Sequence, residues 1–134
     1  MGHSNEFAEF VIEMLQLFGS VIAKPMFGGY GLYADGVMFA LIADDTLYFK
    51  ADELSKNDFI ALGLAPFCYS KNGSEYKMSY YCAPDDVFED FELMNVWAQK
   101  AYDAALRVNK QKSALRDSVV KSGLHSQRKS TYYG

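Results

Sequence analysis

Several residue types are scarce in this chain of 134 residues, and each scarcity argues against a class of protein. The chain has two cysteines and two histidines, with no CxxC or HExxH spacing, which argues against a metal site. The two cysteines, Cys68 and Cys82, fit a reducing compartment. The longest apolar run, Val37–Ala43, is too short to cross a bilayer. No basic stretch precedes a long apolar core at the N-terminus, so we expect no signal peptide and a cytoplasmic location.

Hydrophobic and aromatic residues, in contrast, are abundant. They make up 50% and 16% of the chain, with ten Phe and ten Tyr. This composition excludes intrinsic disorder for most of the sequence. A chain of this length buries about two-thirds of its unfolded surface. We therefore expect one domain that folds without a metal or a disulfide.

Charge divides the chain into an acidic body and a basic end. Residues 1–99 hold five basic and fifteen acidic residues, a net charge of −10, whereas residues 100–134 hold eight and two, a net charge of +6. The basic end could attract phosphate backbones that the body repels. The alternative is a helix end and tail that are basic for dipole and solubility reasons. The candidate contacts with DNA or a partner are Lys110, Lys112, Arg116, Lys121, Arg128 and Lys129.

The first half of the sequence predicts a helix followed by a β-meander. Apolar side chains recur at helical spacing over residues 7–18, and Gly19 marks the helix end. The following residues are rich in β-branched and aromatic side chains. We expect three antiparallel strands there, at 30–34, 37–43 and 46–50.

Dipeptides between these strands predict tight turns. Asp35-Gly36 is typical of a type I′ turn, since both central positions of that turn need positive φ. A two-residue loop here predicts that Leu32 lies opposite Phe39. Asp44-Asp45 is a weaker turn signal.

A second hairpin is predicted after a short helical or turn-rich connection over residues 52–62. Its strands, 65–70 and 74–82, flank Asn72-Gly73, another type I′ dipeptide. This register places Cys68 opposite Lys77 and Cys82 opposite Gly63. Because the two cysteines are not cross-strand partners, we predict no disulfide.

A long helix is predicted to close the domain. Pro84, Asp85 and Asp86 form a helix start, and an apolar stripe extends to about Asn109. We expect an α+β fold: a two-layer sandwich with an antiparallel sheet of about five strands and both main helices on one face. The domain would span residues 1–109, followed by a basic tail over 110–134, in which a short helix around 113–122 is an option.

The sequence shows no recognisable set of catalytic residues. His3 and His125 lie at opposite ends of the sequence with no nucleophile at a telling spacing. The glycines at 28, 29 and 31 precede a strand rather than a helix, so a bulge or a close approach of another backbone is favoured over a phosphate loop. Carboxylates cluster near the third strand, where solvated turn acids are favoured over an acid–base pair: Asp44, Asp45, Asp52 and Glu53.

The strand Met78-Ser79-Tyr80-Tyr81 is aromatic enough to stack bases, as RNA-binding sheets do. Alternation places Met78 and Tyr80 on one face and Ser79 and Tyr81 on the other. Because the body is acidic, core packing of one face is the favoured interpretation.

An ordered set of blocks resembles the N-terminal domain of the TfoX/Sxy family over roughly residues 7–108. The blocks are Pro25-Met26-Phe27-Gly28-Gly29-Tyr30-Gly31-Leu32-Tyr33, Asp35-Gly36-Val37-Met38-Phe39-Ala40, Leu47-Tyr48-Phe49-Lys50-Ala51-Asp52, Pro66-Phe67-Cys68-Tyr69 and Met78-Ser79-Tyr80-Tyr81-Cys82-Ala83-Pro84.

The resemblance implies a bacterial cytoplasmic regulator with a small α+β fold, no enzyme activity and no cofactor. Members of this family activate natural-competence genes together with the cyclic-AMP receptor protein. Two-domain members carry a further helical domain, for which the residues after 109 are too few, so we expect this chain to lack it. The family's motifs are structural, and no functional residue is transferred from it.

Two functions compete with a regulator that acts through protein and DNA contacts. One is a small adaptor or chaperone-like module that binds a protein without DNA. An exposed apolar patch or a homodimer would favour this function. The other is an enzyme with a site made of carboxylates and tyrosines, which lacks a recognisable nucleophile–base pair.

Overall fold

The computed structural model describes residues 2–26 and 28–121, with side chains at 6–26 and 28–115. Three α-helices, one 3₁₀ helix and six strands occur in these residues. In chain order they are α1 (Gly2–Met14), β1 (Ile22–Met26), β2 (Gly29–Ala34), β3 (Val37–Ala43), β4 (Thr46–Lys50), α2 (Lys56–Ile60), β5 (Pro66–Lys71), β6 (Ser74–Cys82), the 3₁₀ helix (Asp85–Glu89) and α3 (Phe91–Lys121).

The six strands form one antiparallel sheet in the order β1-β2-β3-β4-β6-β5. The first four strands make a meander, and the β5–β6 hairpin joins it through β6, which leaves β1 and β5 at the edges. This confirms the α+β class with an antiparallel sheet. The sequence analysis missed β1, because Lys24 and Pro25 interrupt its apolar pattern. The proline is tolerated because β1 is an edge strand.

The predicted hairpin turns are confirmed. Asp35-Gly36 and Asn72-Gly73 have positive φ at both positions, as type I′ turns require. Asp44-Asp45 makes a third such turn, with φ of 51° and 54° and no glycine. Each of these turns joins two strands that are antiparallel neighbours in the sheet.

Two predicted pairings are wrong because the ladders contain irregularities. The β2–β3 register shifts after Leu32, which pairs with Ala40 rather than Phe39. Phe39 is buried in the core between the sheet and the helices. A second shift follows Pro66 in β5, and the Cys82 amide donates to the Ala65 carbonyl instead of lying opposite Gly63. Both cysteines are free, as predicted.

The main core lies between the sheet and the helices α1 and α3, on one face as predicted. Val11 and Leu15 enter it from α1 and from the turn that follows, where the predicted helix over 7–18 ends earlier, at Met14. Four alanines of α3, namely Ala98, Ala101, Ala104 and Ala105, are fully or almost fully buried. Small side chains at this spacing let α3 lie close against β3 and β4.

The region predicted as one helix from Pro84 to Asn109 differs at both ends. The 3₁₀ helix ends at Glu89, and α3 begins at Phe91. Asp90, between them, has an extended backbone. The Asp90 carboxylate accepts hydrogen bonds from the amides of Glu92 and Leu93, at 2.9 and 3.1 Å, and so caps α3. The helix then continues past Asn109 to Lys121, so the predicted domain boundary falls inside it.

An ion pair fixes α3 to the chain that follows β4. The Arg107 guanidinium donates from Nε and Nη2 to the two carboxylate oxygens of Asp52, at 2.6 and 2.9 Å. Ser55 completes the arrangement: its amide donates to Asp52 at 3.1 Å, and its hydroxyl accepts from the Asp52 amide at the same distance. Asp52 was expected to be a solvated turn acid. The structure corrects this, since the Asp52 side chain is only 9% exposed.

The pKa of Asp52 is lowered to about 2, chiefly by the hydrogen bonds from Arg107 and further by those from Ser55. A second pair, Lys100–Asp58 at 2.8 Å, joins α3 to α2 at the surface. Exposed pairs of this kind contribute little, about 0–1 kcal/mol. The bidentate Arg107–Asp52 pair is therefore the polar contact that holds the second half of α3.

Gly29 confirms the expectation of a close backbone approach in the glycine-rich segment. A Cβ at Gly29 would lie 1.9 Å from the Ile42 carbonyl oxygen on the neighbouring strand. We expect Gly29→Ala to lower the free energy of unfolding by about 3 kcal/mol, because backbone atoms must move. Gly36→Ala, in open space at φ +78°, should lose only about 1–2 kcal/mol for its left-handed backbone. Urea denaturation measures both, and equal losses would contradict the close approach.

Asp52→Asn tests the anchor of α3. The folded pKa of Asp52 lies below its ordinary value of 3.8, so the pair stabilises the fold above about pH 4 and this is lost as pH falls towards 2. We expect Asp52→Asn to reduce the free energy of unfolding by about 1–2 kcal/mol at pH 7. The deficit should shrink between pH 4 and 2. Urea titrations at several pH values measure it, and a deficit that is constant with pH would count against the ion pair.

Candidate interaction surfaces

The second half of α3 extends beyond the core. Ala105 is the last buried residue of the helix, and residues 109–115 are all exposed. With 31 residues, α3 is about 46 Å long. We refer to residues 106–121 as the arm. The arm begins where the helix leaves the sheet, immediately beside the Arg107–Asp52 pair.

The predicted contact residues fall in three groups. Lys110 and Lys112 are exposed on the arm. Arg116 and Lys121 lie within α3, at positions where side chains are not described. Arg128 and Lys129 lie outside the described residues. Four of the six predicted residues thus lie on one helix. That any of the six contacts DNA or a partner stays a prediction.

A second surface covers the sheet on the side away from the helices. A cluster of strand residues lies there: Leu41, Phe67 and Tyr80 are buried, and Met38, Ala43, Tyr48, Tyr69 and Met78 pack against them. We call this surface the open sheet face, because among the described residues no helical side chain belongs to the cluster. The predicted alternation of β6 is confirmed, since Tyr81 lies on the helix side, stacked at 5.5 Å on Phe59.

Aromatic rings run along the open sheet face towards the β5–β6 hairpin. Ring centroids are 5.0 Å apart for Tyr48 and Phe67, 6.3 Å for Phe67 and Tyr69, and 5.5 Å for Tyr69 and Tyr76. Tyr76, at the end of the row, is 46% exposed. A row of partly exposed rings is the kind of surface that protein partners bury.

Two lysines place positive charge on the open sheet face. The Lys24 ammonium lies 4.7 Å from the centre of the Tyr33 ring, and that of Lys50 lies 5.0 Å from the centre of the Tyr80 ring. Burial raises the pKa of Tyr80 to about 12, so this phenol stays neutral at physiological pH. Sequence reasoning missed this surface, because the pairing of distant strands assembles it.

Other kinds of site find no support in the described part of the chain. Within residues 2–26 and 28–121, no group of three or more His, Cys, Asp or Glu could hold a metal ion. No helix in the same residues combines the length and hydropathy that a membrane span requires. The arm and the open sheet face are therefore the candidate interaction surfaces.

The comparison with known sequences points to one family. Residues 13–105 match the family described as TfoX N-terminal domain, which is a regulatory family and not a known enzyme family. A curated relative, Protein Sxy of Escherichia coli (strain K12), is 26% identical over 95 residues. The alignment covers 71% of this chain and 46% of that protein, so the chain spans about half the length of this relative. The family match covers well over half of the chain and agrees with the fold: the chain belongs to the TfoX N-terminal domain family.

Proposed function

We propose that this chain is a non-enzymatic cytoplasmic regulator that takes part in transcriptional activation of competence-type genes by binding another protein and, through its arm, DNA. Membership of the TfoX N-terminal domain family and the likeness to Protein Sxy support a regulatory role. The partner suggested by the family resemblance is the cyclic-AMP receptor protein. The arm and the open sheet face are the two surfaces that suit these contacts.

The observation that carries the proposal is a basic helix extending from an acidic body. Residues 1–99 have a net charge of −10, which repels DNA, whereas residues 100–134 have a net charge of +6. Because α3 has no buried residue after Ala105 among those described, Lys110 and Lys112 are exposed. A protein with this charge distribution approaches DNA through the arm.

The open sheet face supports the protein contact. Its partly exposed Tyr and Met side chains form a contiguous row at the β5–β6 end, and aromatic residues dominate the binding energy of protein interfaces. The same observation favours the alternative function, an adaptor that binds protein without DNA. The two differ in whether the arm is needed.

Neutralising the arm tests the DNA contact. In the quadruple variant Lys110→Gln, Lys112→Gln, Arg116→Gln and Lys121→Gln, we expect affinity for labelled promoter duplex, with the cyclic-AMP receptor protein bound, to fall at least about tenfold at 100 mM salt. Each lost phosphate contact reduces the magnitude of the slope of log K against log[salt] by about 0.9, so loss of four contacts should reduce it by about 3.6. Fluorescence anisotropy between 50 and 200 mM salt measures both quantities.

The matched control carries Lys56→Gln and Lys77→Gln, which remove two lysines outside the arm, one on α2 and one on the helix side of β6. We expect its affinity and slope to stay near those of the unaltered chain. Equal behaviour of the two variants would remove the arm from the mechanism. Binding of the receptor protein without any contribution from DNA or the arm would favour the adaptor function.

A pair of neighbouring residues tests the open sheet face. Tyr76 and Lys77 are adjacent and exposed but point to opposite faces of the sheet. We expect Tyr76→Ser to weaken binding to the purified cyclic-AMP receptor protein about tenfold, because a buried ring is lost from the interface. Lys77→Ser should change it less than about twofold. Calorimetric titration provides the measurement, and similar effects of both changes would exclude this face as the contact.

A further inference from the structure

A cavity of about 260 Å³ lies at the end of the sheet where α3 departs from it. The start of β3, the end of β4 and the beginning of the arm surround this cavity, which we call the sheet-end pocket. Its lining includes Gly36, Met38, Lys50, Tyr80, Asn109 and Lys112. The pocket lies where the arm meets the edge of the open sheet face, and it has a lining from both.

Two lysines from distant parts of the sequence converge on the sheet-end pocket. Lys50 ends β4 and is half-buried above the Tyr80 ring, and Lys112 reaches the pocket from the arm. The pKa of Lys50 is lowered, first by burial and then by the positive charge of Lys112. Two like charges held this way destabilise the structure unless a negative group lies between them.

The described residues do not supply that negative group. Asp52 is the carboxylate whose charge acts on Lys50, and both of its oxygens are bound by Arg107. In residues 6–26 and 28–115, no ion pair joins Lys50 or Lys112 to a carboxylate. Tyr80 is neutral at pH 7, as tyrosines ordinarily are, and burial raises its pKa further, to about 12. Among the described residues, the pocket therefore carries two positive charges with no carboxylate paired to either.

We propose that the sheet-end pocket binds a phosphate group between Lys50 and Lys112, with the Asn109 side chain beside it as a further hydrogen-bond donor. A phosphate monoester carries a charge of about −1.5 to −2 at pH 7, which matches two ammonium groups better than a single carboxylate does. The donors also fit, since ammonium and amide N–H groups form charge-assisted hydrogen bonds with phosphate oxygens. Free phosphate compounds and the backbone of a nucleic acid share this chemistry. The inference does not depend on the proposed regulatory function.

Phosphate binding is tested with inorganic phosphate as the probe, titrated at constant ionic strength with chloride as the competing anion. The measured quantity is the dissociation constant from shifts of the backbone NMR signals around Gly36 and Asn109. We expect Lys112→Gln to weaken binding about tenfold, because one charge-assisted contact is lost. Lys110→Gln is the matched control, since Lys110 lies on the same helix but does not line the pocket, and it should change binding less than about twofold.

A second measurement separates binding at the pocket from general attraction to a basic helix. Bound phosphate should raise the pKa of Lys50, because a nearby negative charge favours the ammonium form. NMR titration of the Lys50 side chain follows this pKa. No saturable binding, equal effects of the Lys110 and Lys112 changes, or an unmoved Lys50 pKa would each overturn the proposal.

A short DNA duplex in place of inorganic phosphate distinguishes the two sources of the group. If Lys50→Gln, a change in the pocket but outside the arm, weakens both ligands, the pocket takes a backbone phosphate. If only inorganic phosphate responds in this way, the pocket takes a free phosphate compound. Because the phosphate titration contains no DNA and no partner protein, its failure is distinct from failure of the regulatory function.

Discussion

The bidentate contact between Arg107 and Asp52 determines where the longest helix leaves the sheet. Upstream of it, buried alanines hold α3 flat against β3 and β4, and downstream the side chains are exposed. Without this pair, nothing polar among the described residues would fix the beginning of the arm to the end of β4. The direction of the arm and the position of Lys112 beside Lys50 both follow from it.

The two surfaces proposed for binding lie on different parts of the molecule. One face of the sheet is sealed by helices, and the other presents rings and methionines. The arm adds positive charge on a separate element. This division allows two partners to be contacted at once, because the open sheet face and the arm do not share residues. This arrangement suits the proposed regulator, which contacts a protein with one surface and DNA with the other.

Local signals predicted much of the fold, and long-range contacts account for what was missed. Asp35-Gly36 and Asn72-Gly73 located both hairpins, because their backbone requirement is encoded in two residues. The register shift at Leu32 was not predicted, because no local pattern marks it. The cap at Asp90 is local, but it was missed because the start signal at Pro84 was assigned to the whole helix. At the candidate surfaces, the sequence indicated the basic residues of the arm. It could not indicate that Arg107 pairs with Asp52 or that Lys112 and Lys50 line one pocket, since these residues lie far apart in sequence.

The edges of the sheet have a consequence for how this protein meets others. Two of its three prolines lie in β1 and β5, the two outermost strands. A proline lacks the amide hydrogen that an added strand would bind, so each edge discourages the extension of the sheet by a peptide or a second sheet. Recognition by strand addition, which many small β-rich domains use, is therefore disfavoured. The faces of the sheet and their side chains are thus better suited to recognition than its edges.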